Sequence, residues 1–151
     1  MFKAHGDKVG VSTTLHQLGM LDYIQGDYGS SRKYHEESLE MFKTLGNKVG
    51  ISTSLLRLGM LDQAEGDYNS ARKNYEESMI ISKILQDRSG IAFNYTLTAL
   101  LEELEGNYDT SFDLISKAEN LFVQLNSHYA DKARKDRERI ERKKNESRIN
   151  G

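Results

Sequence analysis

Written in rows of 40, the chain aligns with itself without a gap. The first row is MFKAHGDKVGVSTTLHQLGMLDYIQGDYGSSRKYHEESLE and the second MFKTLGNKVGISTSLLRLGMLDQAEGDYNSARKNYEESMI, with about 24 of the 40 positions identical. The third row, ISKILQDRSGIAFNYTLTALLEELEGNYDTSFDLISKAEN, keeps the skeleton with fewer identities. The fourth, from Leu121, keeps the opening and then turns mostly charged. A fixed period of this length marks stacked supersecondary units, each too small to bury its own apolar face.

Each row holds two helical segments and two short breaks. One break is Gly26-Asp27, Gly66-Asp67 and Gly106-Asn107. Glycine takes the left-handed conformation just past a helix end, and the Asp or Asn after it caps the next helix. The other break, Gly6-Asp7, Gly46-Asn47, Gln86-Asp87 and Asn126-Ser127, has the same chemistry with a weaker stop in the later rows. No proline interrupts the segments between. In the second row, Val49, Ile51, Leu55, Leu58, Leu61 and Ala64 form one helical face, and Tyr68, Ala71, Tyr75 and Met79 another. Helices are expected at about 8–25, 28–45, 48–65, 68–85, 88–105 and 108–126, forming the repeat body 1–127. A charged capping helix and tail are expected at 128–151.

Composition removes several function classes. Without cysteine there is no disulfide framework, thiol nucleophile or Cys-based metal site. No apolar run spans a bilayer and no signal-peptide core follows Met1, so a cytoplasmic setting without membrane attachment is expected. A net charge of −2 argues against nucleic-acid binding by bulk charge. Between Asp131 and Arg148 stand nine basic and five acidic residues, which leaves the repeat body near −6. The bases are interleaved with acids and carry no aromatic for stacking, which favours a solvated cap over a nucleic-acid contact.

The order of small and large residues resembles the tetratricopeptide repeat family, in a longer 40-residue form, over about residues 8–127. The pattern stands as Leu15 with Leu18-Gly19, Leu55 with Leu58-Gly59 and Tyr95 with Thr98-Ala99. It continues in the turns Gly26-Asp27-Tyr28, Gly66-Asp67-Tyr68 and Gly106-Asn107-Tyr108, whose tyrosines are read as an inter-repeat aromatic stripe. Small–large–small triplets follow: Ser31, His35, Ser38; Ala71, Tyr75, Ser78; and Ser111, Ile115, Ala118. The sequence departs from the family at Asp22, Asp62 and Glu102, at His35, and in lacking the turn-ending proline. The resemblance implies an all-α, right-handed α-solenoid of about three repeats whose first helices line a concave, partner-binding face. The inward positions it implies are Thr13, His16, Gln17, Met20 and Tyr23 in the first repeat. In the second they are Thr53, Leu56, Arg57, Met60 and Gln63, and in the third Phe93, Thr96, Leu97, Leu100 and Glu103. Because Met1–Ala4 match Met41–Thr44, the chain is expected to open in the tail of a truncated repeat at 1–6. That makes it a fragment of a longer array or leaves one apolar surface uncapped.

Catalytic chemistry finds little support. The pairs Glu36-Glu37 and Glu76-Glu77 recur at one repeat position, as solvated helix faces do and a unique active site does not; Glu102-Glu103 stands elsewhere. The histidines His5, His16, His35 and His128 lack metal-ligand spacing. Asn94-Tyr95-Thr96 and Asn145-Glu146-Ser147 match a glycosylation pattern that needs a secretory route. No cofactor is expected. The preferred expectation is a protein-interaction scaffold taking an apolar peptide or helix on methionine and leucine side chains, which adapt to apolar anchors. Two alternatives stand beside it: self-association through the open N-terminal face, and a regulatory module sensing a peptide or effector.

Overall fold

In the computed structural model the backbone is described for residues 2–151 and the side chains for residues 7–151. Among the described residues there are seven helices and no strand. They are α1 (Phe2–Ile24), α2 (Tyr28–Leu45), α3 (Lys48–Ala64), α4 (Tyr68–Ile84), α5 (Arg88–Leu104), α6 (Tyr108–Gln124) and α7 (Tyr129–Asn150). The architecture is all-α and helical-repeat. The chain falls into two compact units, residues 1–81 and 82–151, and their boundary lies within α4. In the first unit α1 packs on α2 and α2 on α3; in the second α5 packs on α6 and α6 on α7.

The turns follow the sequence chemistry. Gly26, Gly66 and Gly106 adopt φ of 82–83°, and after the first two the next side chain caps the following helix. Asp27 Oδ1 accepts from the Ser30 amide and Asp67 Oδ1 from that of Ser70, each at 3.2 Å. The other break uses Asn47, accepting from Gly50 N, and Asp87, accepting from Gly90 N, both at 3.0 Å. Gln86 and Asn126 take the left-handed conformation there without being glycine. Asn107 departs from this pattern: its side-chain amide donates to Glu102 Oε2 at 2.7 Å instead of capping α6.

One expected break is missing. α1 runs unbroken from Phe2 through Gly6 and Asp7. At Gly46 the turn is held because a returning helix packs on the next one: the Phe42 ring covers Gly50 so closely that a Cβ there would overlap it. Among the described residues nothing lies within 4 Å of a Cβ at Gly10, and without that packing the helical hydrogen bonds simply continue. Met1 and the side chains of residues 2–6, and with them the match of Met1–Ala4 to Met41–Thr44, lie outside the described residues.

The repeated small residues set the helix-to-helix approach. Ser31 Oγ donates to the Gly19 carbonyl at 2.6 Å, and Ser111 Oγ to that of Ala99 at 2.7 Å. Ser38 Oγ donates to the Ser12 carbonyl at 3.0 Å and Ser78 Oγ to that of Ser52 at 2.9 Å. In the third repeat both partners of this pair are alanine, Ala92 and Ala118, and both are fully buried. The polar pair is replaced as a pair, which leaves no orphaned hydroxyl. Around these contacts lie two apolar cores: Leu39, Leu55, Leu58 and Leu61 in the first unit, and Ala92, Ile115, Phe122, Ala133 and Ile140 among others in the second. Val49 and Ala64, read as part of the buried face of α3, are exposed. Those positions lie at the two ends of the helix. Of the tyrosine stripe, Tyr28 packs on Tyr23 with ring centroids 5.5 Å apart, while Tyr68 and Tyr108 are half-buried.

Candidate protein-binding surface

The sequence-derived positions separate by unit. On α1 and α3, none of the ten is buried: Thr13 and Gln17 are exposed, and His16, Met20, Tyr23, Thr53, Leu56, Arg57, Met60 and Gln63 are half-buried. One helical step away, Leu55, Leu58 and Leu61 are buried. The helices therefore offer one face to the core and hold a second, mixed face partly open.

Two features order that face from beneath. The His16 and His35 rings meet edge-on, centroids 5.1 Å apart and planes at 71°. Gly19 makes room for His35: a Cβ there would stand 2.7 Å from its Nε2. The Nδ1 atoms of both histidines are buried and have no hydrogen-bond partner among the described residues. Burial, then His16 and then the Arg57 charge, hold the His35 imidazole down to about 4, and burial followed by Arg57 lowers His16. Both rings are neutral at pH 7, so the guanidinium of Arg57 is the charge of this patch. Arg57 Nη1 also lies 3.4 Å from Met60 Sδ, and Tyr75 donates its hydroxyl to Gln63 Oε1 at 2.9 Å.

The second feature is the acid at 62, where the family pattern has an aromatic. Asp62 is buried and accepts from Arg32 Nη2 at 2.9 Å and from Asn74 Nδ2 at 2.7 Å, while Arg32 also reaches Glu65 at 3.2 Å. An ion pair tying α2 to the end of α3 replaces ring packing. The recurrence of an acid at 22, 62 and 102 signals this in the sequence; its partner, 30 residues earlier, does not stand out.

On α5, two of the five expected positions are engaged by α6 and α7. Phe93 stacks edge-on against Phe122 and Tyr129, centroids 5.2 and 4.8 Å away. Glu103 is buried and accepts from Arg139 Nε and Nη2 at 2.9 and 2.8 Å and from Lys143 Nζ at 2.7 Å. The Arg139 hydrogen bonds, then Lys143, hold its carboxyl down to about 2 against the opposing effect of burial. Thr96, Leu97 and Leu100 remain half-buried. The charged C-terminal helix is thus a docked element. Arg137 pairs with Glu119, Lys144 lies over the Phe112 ring at 4.6 Å, and Asp136 and Ile140 are buried.

No group of three or more His, Cys, Asp or Glu side chains among the described residues is placed to hold a metal ion. Nor is any helix there long and apolar enough to cross a membrane.

Helical hairpins recurring every 40 residues, with small residues at the crossings and a half-open face on the first helices, define the class of helical-repeat proteins. The sequence profile described as tetratricopeptide repeat matches residues 10–83. That segment, just under half of the chain, is tetratricopeptide repeat in sequence. Repeats of this family are generally protein–protein interaction modules and typically non-catalytic. Among solved structures, the chain is similar to BtubC (BKLC) from P. vanneervenii, with a TM-score of 0.64 and 16% sequence identity. The match covers 93% of this chain and 65% of that one, so the chain spans just under two thirds of its length. At that identity the likeness shows the fold. No curated protein sequence matches the chain.

Proposed function

We propose that the chain is a protein-interaction scaffold whose α1–α3 face takes an apolar peptide or helix of a partner protein. The observation that carries this reading is that all ten positions on α1 and α3 are half-buried or exposed, with Met20, Leu56 and Met60 among them, whereas on α5 Glu103 is buried under Arg139 and Lys143. Met20, Leu56 and Met60 supply a deformable apolar surface, and Arg57 supplies one charge that fixes the register of a bound chain.

The test is affinity capture with the full chain, followed by titration of the captured segment as a synthetic peptide. Met20→Glu with Met60→Glu is expected to weaken that peptide at least tenfold, with far-UV helicity and melting temperature unchanged because both side chains are half-exposed. Equal affinity of the double variant and the parent removes this face from the function.

A further inference from the structure

A second surface lies on another face of α1. Val11, Leu18 and Leu21 are 44, 39 and 50% exposed. Their counterparts one repeat later are Ile51, half-buried, and Leu58 and Leu61, buried at 7 and 0% exposure. What covers the later set is α2, through Leu39 and through Phe42, whose ring fills the space above Gly50. Gly10 repeats Gly50 in register, but among the described residues nothing fills its notch, and around it Asp7, Gly10, Val11, Thr14 and Leu15 line a hollow of about 440 Å³. The chain therefore carries, on α1, the receiving half of an interface whose complete form it displays between α2 and α3.

We propose that this face of α1 docks an α2-type helix from another protein, one bearing a leucine and, three residues on, an aromatic that seats in the Gly10 notch. The occupant's chemistry is copied from the α2–α3 interface, with which the open face is continuous in register. Among the described side chains a second copy of this chain is a poor source, because the aromatics at this repeat position, Phe42 and Phe122, are already buried in their own units at 7 and 2% exposure. Residues 2–6 do not supply it either, since the turn that would double them back onto α1 is not formed and α1 continues straight through them. A helix laid on this stripe removes three large apolar side chains from water, the same gain that seats α2 on α3.

The probe is a peptide with the sequence of residues 28–45, held helical by a lactam between Lys33 and Glu37, both exposed in α2. Binding to the full chain is read by fluorescence anisotropy. Saturable binding is expected, weakened at least tenfold by Gly10→Leu in the chain and as much by alanine at the peptide's Phe42 position. Leu18→Glu, at an exposed site, gives the same loss should Gly10→Leu disturb α1. Failure to bind overturns the proposal. So does binding that ignores both chain variants, which signals exchange with α2 itself. A dimer of the chain alone, seen by light scattering and dissolved by Gly10→Leu, overturns it in favour of a second copy. The Met20→Glu, Met60→Glu variant should bind the probe as the parent does, which keeps this outcome separate from that of the other face.

Discussion

His35 occupies the place held by Tyr75 in the second repeat and Ile115 in the third, and it differs from both in being able to take a charge. It is 1% exposed, its Nδ1 has no hydrogen-bond partner among the described residues, and His16 and Arg57 face it. A proton there places a second cation beside a guanidinium at a site with almost no solvent access. The ordinary value of 6.5 applies in the unfolded chain and about 4 in the folded one. Between these values the unfolded state binds more protons, so stability is complete above pH 6.5 and declines as the pH falls toward 4. A gap of that size corresponds to about 3 kcal/mol, and His16, also lowered, acts in the same direction. The melting temperature should therefore drop between pH 6.5 and 4, and His35→Phe should flatten most of that slope. Thermal melts at half-unit pH steps would check this; an unchanged slope in the variant removes His35 as the cause. Glu103 works in a lower window. Its carboxyl, depressed to about 2, gives up its contribution as the pH falls from about 4.5 toward 2, so the two effects separate on the pH axis.

At the scale of elements, the chain records its own compensations. Gly59 lies under the Tyr75 ring, where a Cβ would overlap Cε1 and Cδ1 and stand 3.3 Å from the Ala71 carbonyl oxygen. One repeat later Ala99 fills the same place, fully buried, beneath Ile115 rather than a ring. Gly59→Ala alone should then cost about 1–3 kcal/mol through overpacking. Combined with Tyr75→Ile it should cost clearly less than the sum of the two single changes. Urea unfolding of the four proteins in the cycle measures the coupling, and simple additivity would mean that the helices move apart to absorb the methyl group. Much of this was legible in the sequence, because period, turn chemistry and small–large alternation all act between neighbours along the chain. What escaped depends on pairs far apart in sequence. The partners of Asp62 stand 30 residues before it and 12 after it, and those of Glu103 stand 36 and 40 residues later, where a composition reading sees only a solvated basic helix. The missed continuation of α1 has the same origin: Gly6-Asp7 has the residues of a break, but a break also needs a helix packed above Gly10.

Over the whole molecule the sequence divides its charge, a basic last helix against an acidic repeat body, and the structure consumes much of that division locally. Within the second unit Arg139 and Lys143 meet Glu103, Arg137 meets Glu119, and Lys144 and Arg148 meet Asp109. The exposed pairs around Asp109 contribute little, because water and salt screen them. Glu103 is different: its side chain is 8% exposed, so removing a partner strands a charge that water reaches poorly. Arg139→Met keeps much of the apolar stem and deletes both hydrogen bonds to Glu103 and the one to buried Asp136, leaving Lys143 to face Glu103 and Lys132 to face Asp136. In a repeat protein stability is set by each element and its neighbours, so the damage should stay near its source. Hydrogen exchange is expected to quicken in α6 and α7, with a lower melting temperature, while α1 and α2 exchange as in the parent chain. Glu103→Gln should partly restore the Arg139→Met variant, because an amide costs less to bury than an unmatched carboxylate. Were Arg139→Met to leave exchange in α7 unaltered, the docking of the last helix would rest on Ala133 and Ile140 in the apolar core rather than on its bases.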